Sequence, residues 1–465
     1  MIKVTCLGGA GTVTGSCYLI ESTLGKKVLV DCGLFQGGET LEDRNWAGWD
    51  FDPNQIHTLF LTHAHIDHSG YLPRLCKEGF RGVVNCTPAT SDLCGIMLRD
   101  SGHLQEEDAY WANKRGFSKH QPALPLYTLE DAEVSLKHFE PVYYGTDLFL
   151  DDSLRVKFKD AGHILGSAMV DIKRSRGKKT GRVLFSGDLG RPSRPILRDP
   201  VQVFEVDYLV IESTYGNRLH DQKPPEEELA RVINESRERG GVLVIPAFAV
   251  GRTQELLYCI RELEERKRIP VLPVHVDSPM AIDTTQVFEK RKGDYDLGSK
   301  ILELNGTHIL KTGNLRFYRD KEQSKQLHEN VNSGIIISAS GMVEGGRILH
   351  HMIHRLPHNR NTVLFIGYQA QGTRGRAIQE GTDTIKIHGQ MVPVRAKIES
   401  ISGFSAHADY NEALAWLMGF NRPPLKTFIV HGEREAASSM ADHISRTFGW
   451  EVVIPSYNEK FTLDL

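Results

Sequence analysis

The sequence predicts an α/β protein in which one domain, built of short strands, is interrupted by a second domain built on a parallel, doubly wound sheet. Three observations carry this prediction. Strand-like segments in the first part of the chain end repeatedly in His, Asp or Glu. Four strand-then-helix units follow from about Tyr215, and short strands with polar ends return from about Val392. Continuous β-branched runs, each followed by a Gly/Ser/Thr-rich turn and an amphipathic helix, are the pattern of a sheet with helices on both faces.

In order along the chain, "MIKVTCLGG", "GSCYLIES", "KKVLVDCG" and "HTLFLTHAH" read as strands, and the last two deliver Asp31 and His63 at strand ends, where sites form. A helical stretch, "SDLCGIMLRDSGHLQEEDAYWANK", precedes further strands in "LRVKFKDAGHILGSAMVDI", "GRVLFSGDLG" and "DYLVIESTYG". The four strand–helix units are "GGVLVIPAFAVGRTQELLYCIREL", "IPVLPVHVDSPMAIDTTQVFEK", "SGIIISASGMVEGGRILHHMI" and "NTVLFIGYQAQGTRGR". The strands "VRAKIESI" and "PLKTFIVHGERE" close the chain, with no Pro/Ser linker between domains. The glycines of "GGAGTVTG" miss the spacing of a dinucleotide-binding turn, and no acidic residue follows in a βαβ context.

A chain of 465 residues with 40% hydrophobic and 25% charged residues is expected to form two or three soluble domains. No apolar run approaches the roughly 18 residues of a membrane span, and the N-terminal stretch has neither a secretory nor a lipidation pattern, so a cytoplasmic protein without a membrane partner is expected. The net charge of −3 excludes a polycation that coats nucleic acid by bulk attraction but leaves room for a local basic groove. Seven cysteines (6, 17, 32, 76, 86, 94 and 259) include no C-x-x-C pair, so a metal here has to use nitrogen and oxygen.

"LFLTHAHIDHSGYLPRL" (59–75) places His63, His65, Asp67 and His68 within six positions behind an apolar run. In extended chain His63 and His65 point to one side, so two imidazoles converge on one ion. Asp67 and His68 come where the strand gives way to a turn and helix, and reach the same pocket from another direction to serve a second ion. The remaining ligands are expected from other strand ends. "DAGHILGSA" offers His163, "LFSGDLG" offers Asp188 and "TFIVHGERE" offers His431, although each alone reads equally as a turn residue.

"THAHIDHSG", "GHILGS", "SGDLG" and the Asp31 of "VLVDCG" resemble the motifs of the metallo-β-lactamase fold over residues 1 to about 210. The resemblance implies an αββα sandwich holding two zinc ions. The first is implied on His63, His65 and His163, the second on Asp67, His68 and His431, with Asp188 bridging and Asp31 supporting the ligands from behind. Seven nitrogen and oxygen ligands also exceed what one tetrahedral zinc takes. "IESTYG" (211–216), "FSAHAD" (404–409) and "IVHGE" (429–433) further resemble motifs A, B and C of the β-CASP nucleases, and "PAFAVGRTQELL", "SASGMVEGGR" and "GYQAQGTRGR" resemble the interior of that family's insert. By this resemblance residues 1–212 and 392–465 form the metallo-β-lactamase domain, and 213–391 form the inserted β-CASP domain.

Within the family the chain looks most similar to the compact group related to the endonuclease subunit of the cleavage and polyadenylation specificity factor, with neither a KH segment nor the extra domain of the RNase J type in this sequence. The implied activity is zinc-dependent hydrolysis of single-stranded RNA, in RNA processing or decay, by a hydroxide activated between two zinc ions. Asp67, His407 and Glu212 are the implied catalytic residues. Glu212 takes the motif A place and holds His407, which takes the motif B place beside the leaving oxygen. A His near neutrality suits the departure of an alkoxide.

The Gly-rich turns have a physical rationale of their own. Gly341 after Ser340, Gly251 before Arg252, and Gly372-Thr373 before Arg374 and Arg376 expose backbone N–H groups at strand-to-helix turns that attract phosphate, and Arg252 and Arg376 can add bidentate contacts. His350, His354 and His358 share one helix face and read as a solvated basic surface. The competing readings are a dizinc hydrolase of a small ester or thioester and a non-catalytic RNA-binding scaffold; the retention of every ligand counts against the scaffold. The sequence is compatible with a homo-oligomer and does not fix endo- or exonucleolytic mode.

Overall fold

In the computed structural model, which describes residues 1–22, 25–116, 121–176, 179–221, 223–367, 369 and 372–465, the chain divides into two compact units. One is Met1–Leu219 with His407–Leu465, the other His220–Ala406. Within the motif "GYQAQGTRGR", residues 368, 370 and 371 lie outside the described residues.

The first unit is a sandwich of two seven-stranded sheets. One runs in the order Lys460–Leu463, Ile2–Cys6, Tyr18–Ser22, Lys27–Val30, Ile56–Phe60, Val83–Cys86, Phe139–Pro141. The other runs Val452–Val453, Lys426–Val430, Tyr208–Glu212, Lys179–Phe185, Ala168–Arg176, Leu154–Asp160, Leu148–Phe149. Strand Leu154–Asp160 alternates strictly between buried and half-buried residues, as period-two patterning demands of a strand packed on one face. The inner faces meet through Val4, Ile20, Phe60, Phe158, Ile172, Phe185 and Phe428. Helices Tyr410–Leu417 and Arg434–Phe448 cover part of the second sheet's outer face, sealing Leu184, Leu209 and Ile211 under Trp416, Met440 and Ile444.

The sheet topology collects the polar strand ends. Strands Lys179–Phe185, Tyr208–Glu212 and Lys426–Val430 run parallel to one another, so Asp188, Glu212 and His431 emerge at the same end. His163 follows Leu154–Asp160 and His63 follows Ile56–Phe60. Crevices outside the carboxyl ends of parallel strands are where α/β proteins place their chemistry.

The second unit carries a six-stranded sheet in the order Leu315–Phe317, Val274–Val276, Gly334–Ser338, Val242–Pro246, Thr362–Ile366, Lys397–Ile401, parallel throughout. Strands Val242–Pro246, Gly334–Ser338 and Thr362–Ile366 are buried along their whole length, because separate apolar clusters cover the two faces. The segment 392–406, which the sequence assigns to the outer domain, includes strand Lys397–Ile401 and pairs with Thr362–Ile366. In the structure the chain re-enters the first unit at His407.

Candidate active site

Thr62 and the one-turn helix Ile66–Ser69 organise the first cluster of site residues. Asp31, at φ 59 just past its strand, accepts from the Thr62 amide with Oδ1 (2.7 Å) and from the Thr62 hydroxyl with Oδ2 (2.9 Å). His68 Nδ1 lies 2.7 Å from the same Oδ2, which turns its Nε2 toward His431 and Asp188. The Thr62 hydroxyl, its hydrogen committed to Asp31, faces His63 Nδ1 at 3.0 Å as an acceptor and leaves His63 Nε2 bare. A short polar chain thus orients two imidazoles with one nitrogen of each turned inward.

Two groups of ligand-type atoms result. His63 Nε2 and His65 Nδ1 are 3.1 Å apart, His163 Nε2 and His65 Nδ1 3.4 Å, and Asp188 Oδ2 lies 3.3 Å from His63 and 3.4 Å from His163. In the second group His68 Nε2 is 3.1 Å from His431 Nε2 and from Asp188 Oδ1, while Asp67 Oδ2 is 3.4 Å from His431 Nε2. The ligand atoms of His63, His65, His163 and Asp188 lie within 4.8 Å of one another, as do those of Asp67, His68 and His431. Asp188 turns one oxygen to each group, and neither oxygen, though buried, has a hydrogen-bond donor among the described residues. A buried carboxylate costs several kcal/mol unless paired, and lone pairs that converge without a proton between them repel. The donor set therefore fits metal cations.

The electrostatics agree. Burial pushes the Asp188 carboxyl up, but His431, His68 and His63 outweigh it and hold the group well below the usual carboxylate range. Asp67 is likewise held down against burial by His431 and His68. Burial, reinforced by His68, lowers His63 to about 3, and burial with His407 lowers His163 well below its ordinary value. Neutral imidazoles beside ionised carboxylates are the protonation states that a metal takes. His68 is the exception: Asp188 and Asp31 raise it against burial.

Close backbone packing fixes Asp67 and His431. A Cβ on Gly33 would stand 1.7 Å from the Asp67 carbonyl oxygen, which accepts from the Ser16 amide at 2.9 Å. His431, at φ 47, donates its amide to Gly9 O at 2.6 Å, so the Gly-rich N-terminal loop braces this ligand. The Thr214 hydroxyl lies 3.1 Å from His431 Nδ1 and 3.2 Å from its carbonyl oxygen. Sequence reasoning passed over Thr62, Thr214 and this loop. The signals were a threonine immediately before "HAHIDH" and another in "IEST".

His407 sits beside these groups. Its Nδ1 is 3.0 Å from Glu212 Oε1, which also accepts the Leu189 amide at 2.7 Å, while Glu212 Oε2 accepts the Thr214 amide at 3.1 Å. Burial lowers His407, but Glu212 and Asp188 outweigh it and raise the group to about 9.

In the second unit, the three Gly-rich turns follow Val242–Pro246, Gly334–Ser338 and Thr362–Ile366, which are neighbours in the sheet. The turns after Gly334–Ser338 and Thr362–Ile366 touch: Gln369 Nε2 donates to Gly341 O at 3.1 Å and the Gly375 amide to Met342 O at 3.0 Å. Gly251 and Gly372 adopt φ 79 and 84, and Thr373 caps the following helix. Of the expected guanidinium donors, Arg252 pairs with Glu255 and Arg376 with Glu380 on their own helices. Ser340 Oγ accepts from the Glu344 amide at 3.1 Å. His350 and His354 are exposed on helix Ile348–Arg355, whereas His358 falls beyond its end.

Comparisons with known proteins agree with this architecture. The metallo-beta-lactamase superfamily matches residues 10–230, the Beta-Casp domain matches 253–378, and the Zn-dependent metallo-hydrolase RNA specificity domain matches 391–455. Fold and site thus define a metal-dependent hydrolase. The chain belongs to the β-CASP family of the metallo-β-lactamase superfamily. Ribonuclease TTHA0252 of Thermus thermophilus is 35% identical over 461 residues, spanning 98% of this chain and 99% of the relative. The RNase J-like protein of Methanocaldococcus jannaschii is 31% identical, spanning 98% of each. Transcription termination factor FttA of the same organism is 30% identical, spanning 98% of this chain and 70% of the relative.

Proposed function

We propose that the protein is a ribonuclease that hydrolyses phosphodiester bonds of single-stranded RNA with two zinc ions, one held by His63, His65, His163 and Asp188, the other by Asp67, His68, His431 and Asp188. The observation that carries this reading is Asp188, buried, with no hydrogen-bond donor among the described residues and one oxygen turned to each group. Nitrogen and oxygen donors with no thiolate suit zinc in a hydrolytic site. When bound, such a pair supplies an activated water and positive charge beside the phosphoryl oxygens.

The chain's own residues do the rest. Asp31 and Thr62 orient His68 and His63 so that one nitrogen of each faces the place a metal would take. Glu212 fixes His407 through Nδ1, so that the imidazolium presents its other edge to the departing ribose oxygen and donates a proton there. Metal cations held by the neighbouring groups would offset the influence of Asp188 on His407, and Glu212 would still hold the His407 proton in place. Relatives named as a ribonuclease and as transcription termination factors, with the match to an RNA specificity domain, support RNA as the substrate class. Seven buried cysteines, none of them in a disulfide, suit a reducing cytoplasmic setting. Among the described residues no helix is long and apolar enough to cross a membrane.

The test is to incubate end-labelled single-stranded RNA with metal-loaded protein and size the products over time. Cleavage lost on chelation and restored by zinc supports the reading, with product lengths separating endonucleolytic from exonucleolytic action. An intact RNA beside a hydrolysed thioester or small ester overturns it.

A further inference from the structure

The sheet that ends in Asp188 carries a second charged feature at its opposite end. Strands Leu154–Asp160, Ala168–Arg176 and Lys179–Phe185 are antiparallel neighbours, and their register places Arg155 directly opposite Lys173, and Lys173 directly opposite Arg182. Three cations therefore stand side by side in one cross-strand row. The same strands turn Val156, Ile172 and Val183 inward, so this row lies on the outer face. Helices Tyr410–Leu417 and Arg434–Phe448 seal the neighbouring part of that face over Leu184 and Leu209, but the row borders an open cleft of about 260 Å³.

Like charges directly opposed across strands destabilise a sheet, and a stable sheet face pairs them with acids instead. Here the pairing is incomplete. Asp171 is claimed by Arg182 in a two-pronged contact, with Nε to Oδ1 at 2.7 Å, and Lys159 approaches it at 3.9 Å. Asp147 serves both Arg155 at 3.1 Å and Lys157 at 3.3 Å. Lys173, at the centre of the row, has no hydrogen-bond or ion-pair partner among the described residues. Burial lowers the half-buried Lys159 ammonium, and Arg182 and Lys157 lower it further against Asp171. Arg422 adds another cation at the rim, tied to Asp207 at 2.7 Å. A local rule of sheet construction that is broken and only partly compensated points to a functional site.

We propose that this row is an anion-binding exosite that grips the phosphodiester backbone of single-stranded RNA away from the metal groups. The proposal rests on the reading of the protein as a ribonuclease. Charge complementarity selects phosphate as the occupant. Among the described residues no aromatic side chain lines the cleft, so it offers no platform for stacked bases and reads backbone rather than sequence. Arg155 stands five residues before the metal-proximal end of its strand, roughly 16 Å at about 3.3 Å per residue. A long RNA spans that distance; a dinucleotide does not.

The experiment compares the wild type with Lys173→Gln and with Arg155→Gln/Lys173→Gln, using a long single-stranded RNA and a dinucleotide. Affinity for the long RNA is expected to fall several-fold, and the slope of log K against log salt to lose about 0.7 for each phosphate contact removed. Cleavage of the dinucleotide, metal content and thermal stability are expected to hold, because glutamine relieves the repulsion in the row. Unchanged affinity and slope in variants of a wild type that cleaves RNA overturn the exosite alone. Equal losses on both substrates overturn it too, since they place the effect at the metal groups. A wild type that neither binds nor cleaves RNA overturns the ribonuclease reading and the exosite with it.

Discussion

Asp31 and His68 meet at 2.7 Å in a fully buried contact, 37 residues apart in sequence, with Asp31 held at a left-handed backbone angle of φ 59. Asparagine tolerates that conformation, so Asp31→Asn changes the chemistry without refolding the turn. One of the three donors converging on Asp31 then meets an NH2 group instead of an oxygen, and His68 loses its fixed orientation. Metal affinity is expected to fall by about 10–100-fold, measured by metal competition against a chromophoric chelator.

Asp188→Asn is expected to empty both groups together, because one carboxylate faces each of them. Elemental analysis should show the loss of more than one equivalent of metal, with activity lost in parallel. Asp67→Ala or His68→Ala should instead deplete one group preferentially. Chelation of the wild type should lower its melting temperature, as removal of any ligand that binds only the folded state does.

His407→Ala is expected to retain metal while RNA cleavage falls by roughly 10²–10⁴. An activated nitrophenyl phosphodiester, whose leaving group needs no proton, should lose much less. Glu212→Gln keeps the length of the side chain but removes the charge beside His407 Nδ1, and should give a smaller loss of the same selectivity. Equal losses on both substrates would remove His407 from the leaving-group role.

Buried His275 in the second unit, 2.9 Å from the Tyr318 hydroxyl, is lowered from the usual 6.5 to about 4 by burial and by Arg316. Below pH 6.5 the unfolded chain takes up a proton that the folded protein refuses until about pH 4. Stability therefore falls as pH drops through that window. His275→Gln removes this contribution, so its chemical-denaturation midpoint should decline less steeply than that of the wild type between those two pH values.

Much of the candidate site was legible because its signal is local. His63, His65, Asp67 and His68 sit within six residues, and strand alternation and a helix start suffice to bring them together. His163, Asp188 and His431 were legible as residues at strand ends, but their convergence depends on which strands become neighbours. Pairing of Tyr208–Glu212 with Lys426–Val430 is a contact between segments more than 200 positions apart, and no periodicity encodes it. The same limit explains the segment 392–406. Strand Lys397–Ile401 looks like any half-buried strand, and only its partner, Thr362–Ile366, decides which sheet it joins. Arg252 and Arg376 were read by residue type as phosphate donors, whereas acids one helical turn away engage both side chains. The row Arg155–Lys173–Arg182 was invisible for a related reason: the three cations lie on separate strands, and register alone aligns them.

The N–N contact between His68 and His431 joins positions 363 residues apart, with the whole second unit lying between them in the chain. During synthesis from the N-terminus, the strand that ends at His431 reaches the sheet only after everything before it has left the ribosome. A nascent chain stopped short of that strand has His63, His65 and Asp67 in hand but cannot close the second group. Closure of the second group thus waits on a segment that is made only after the whole second unit.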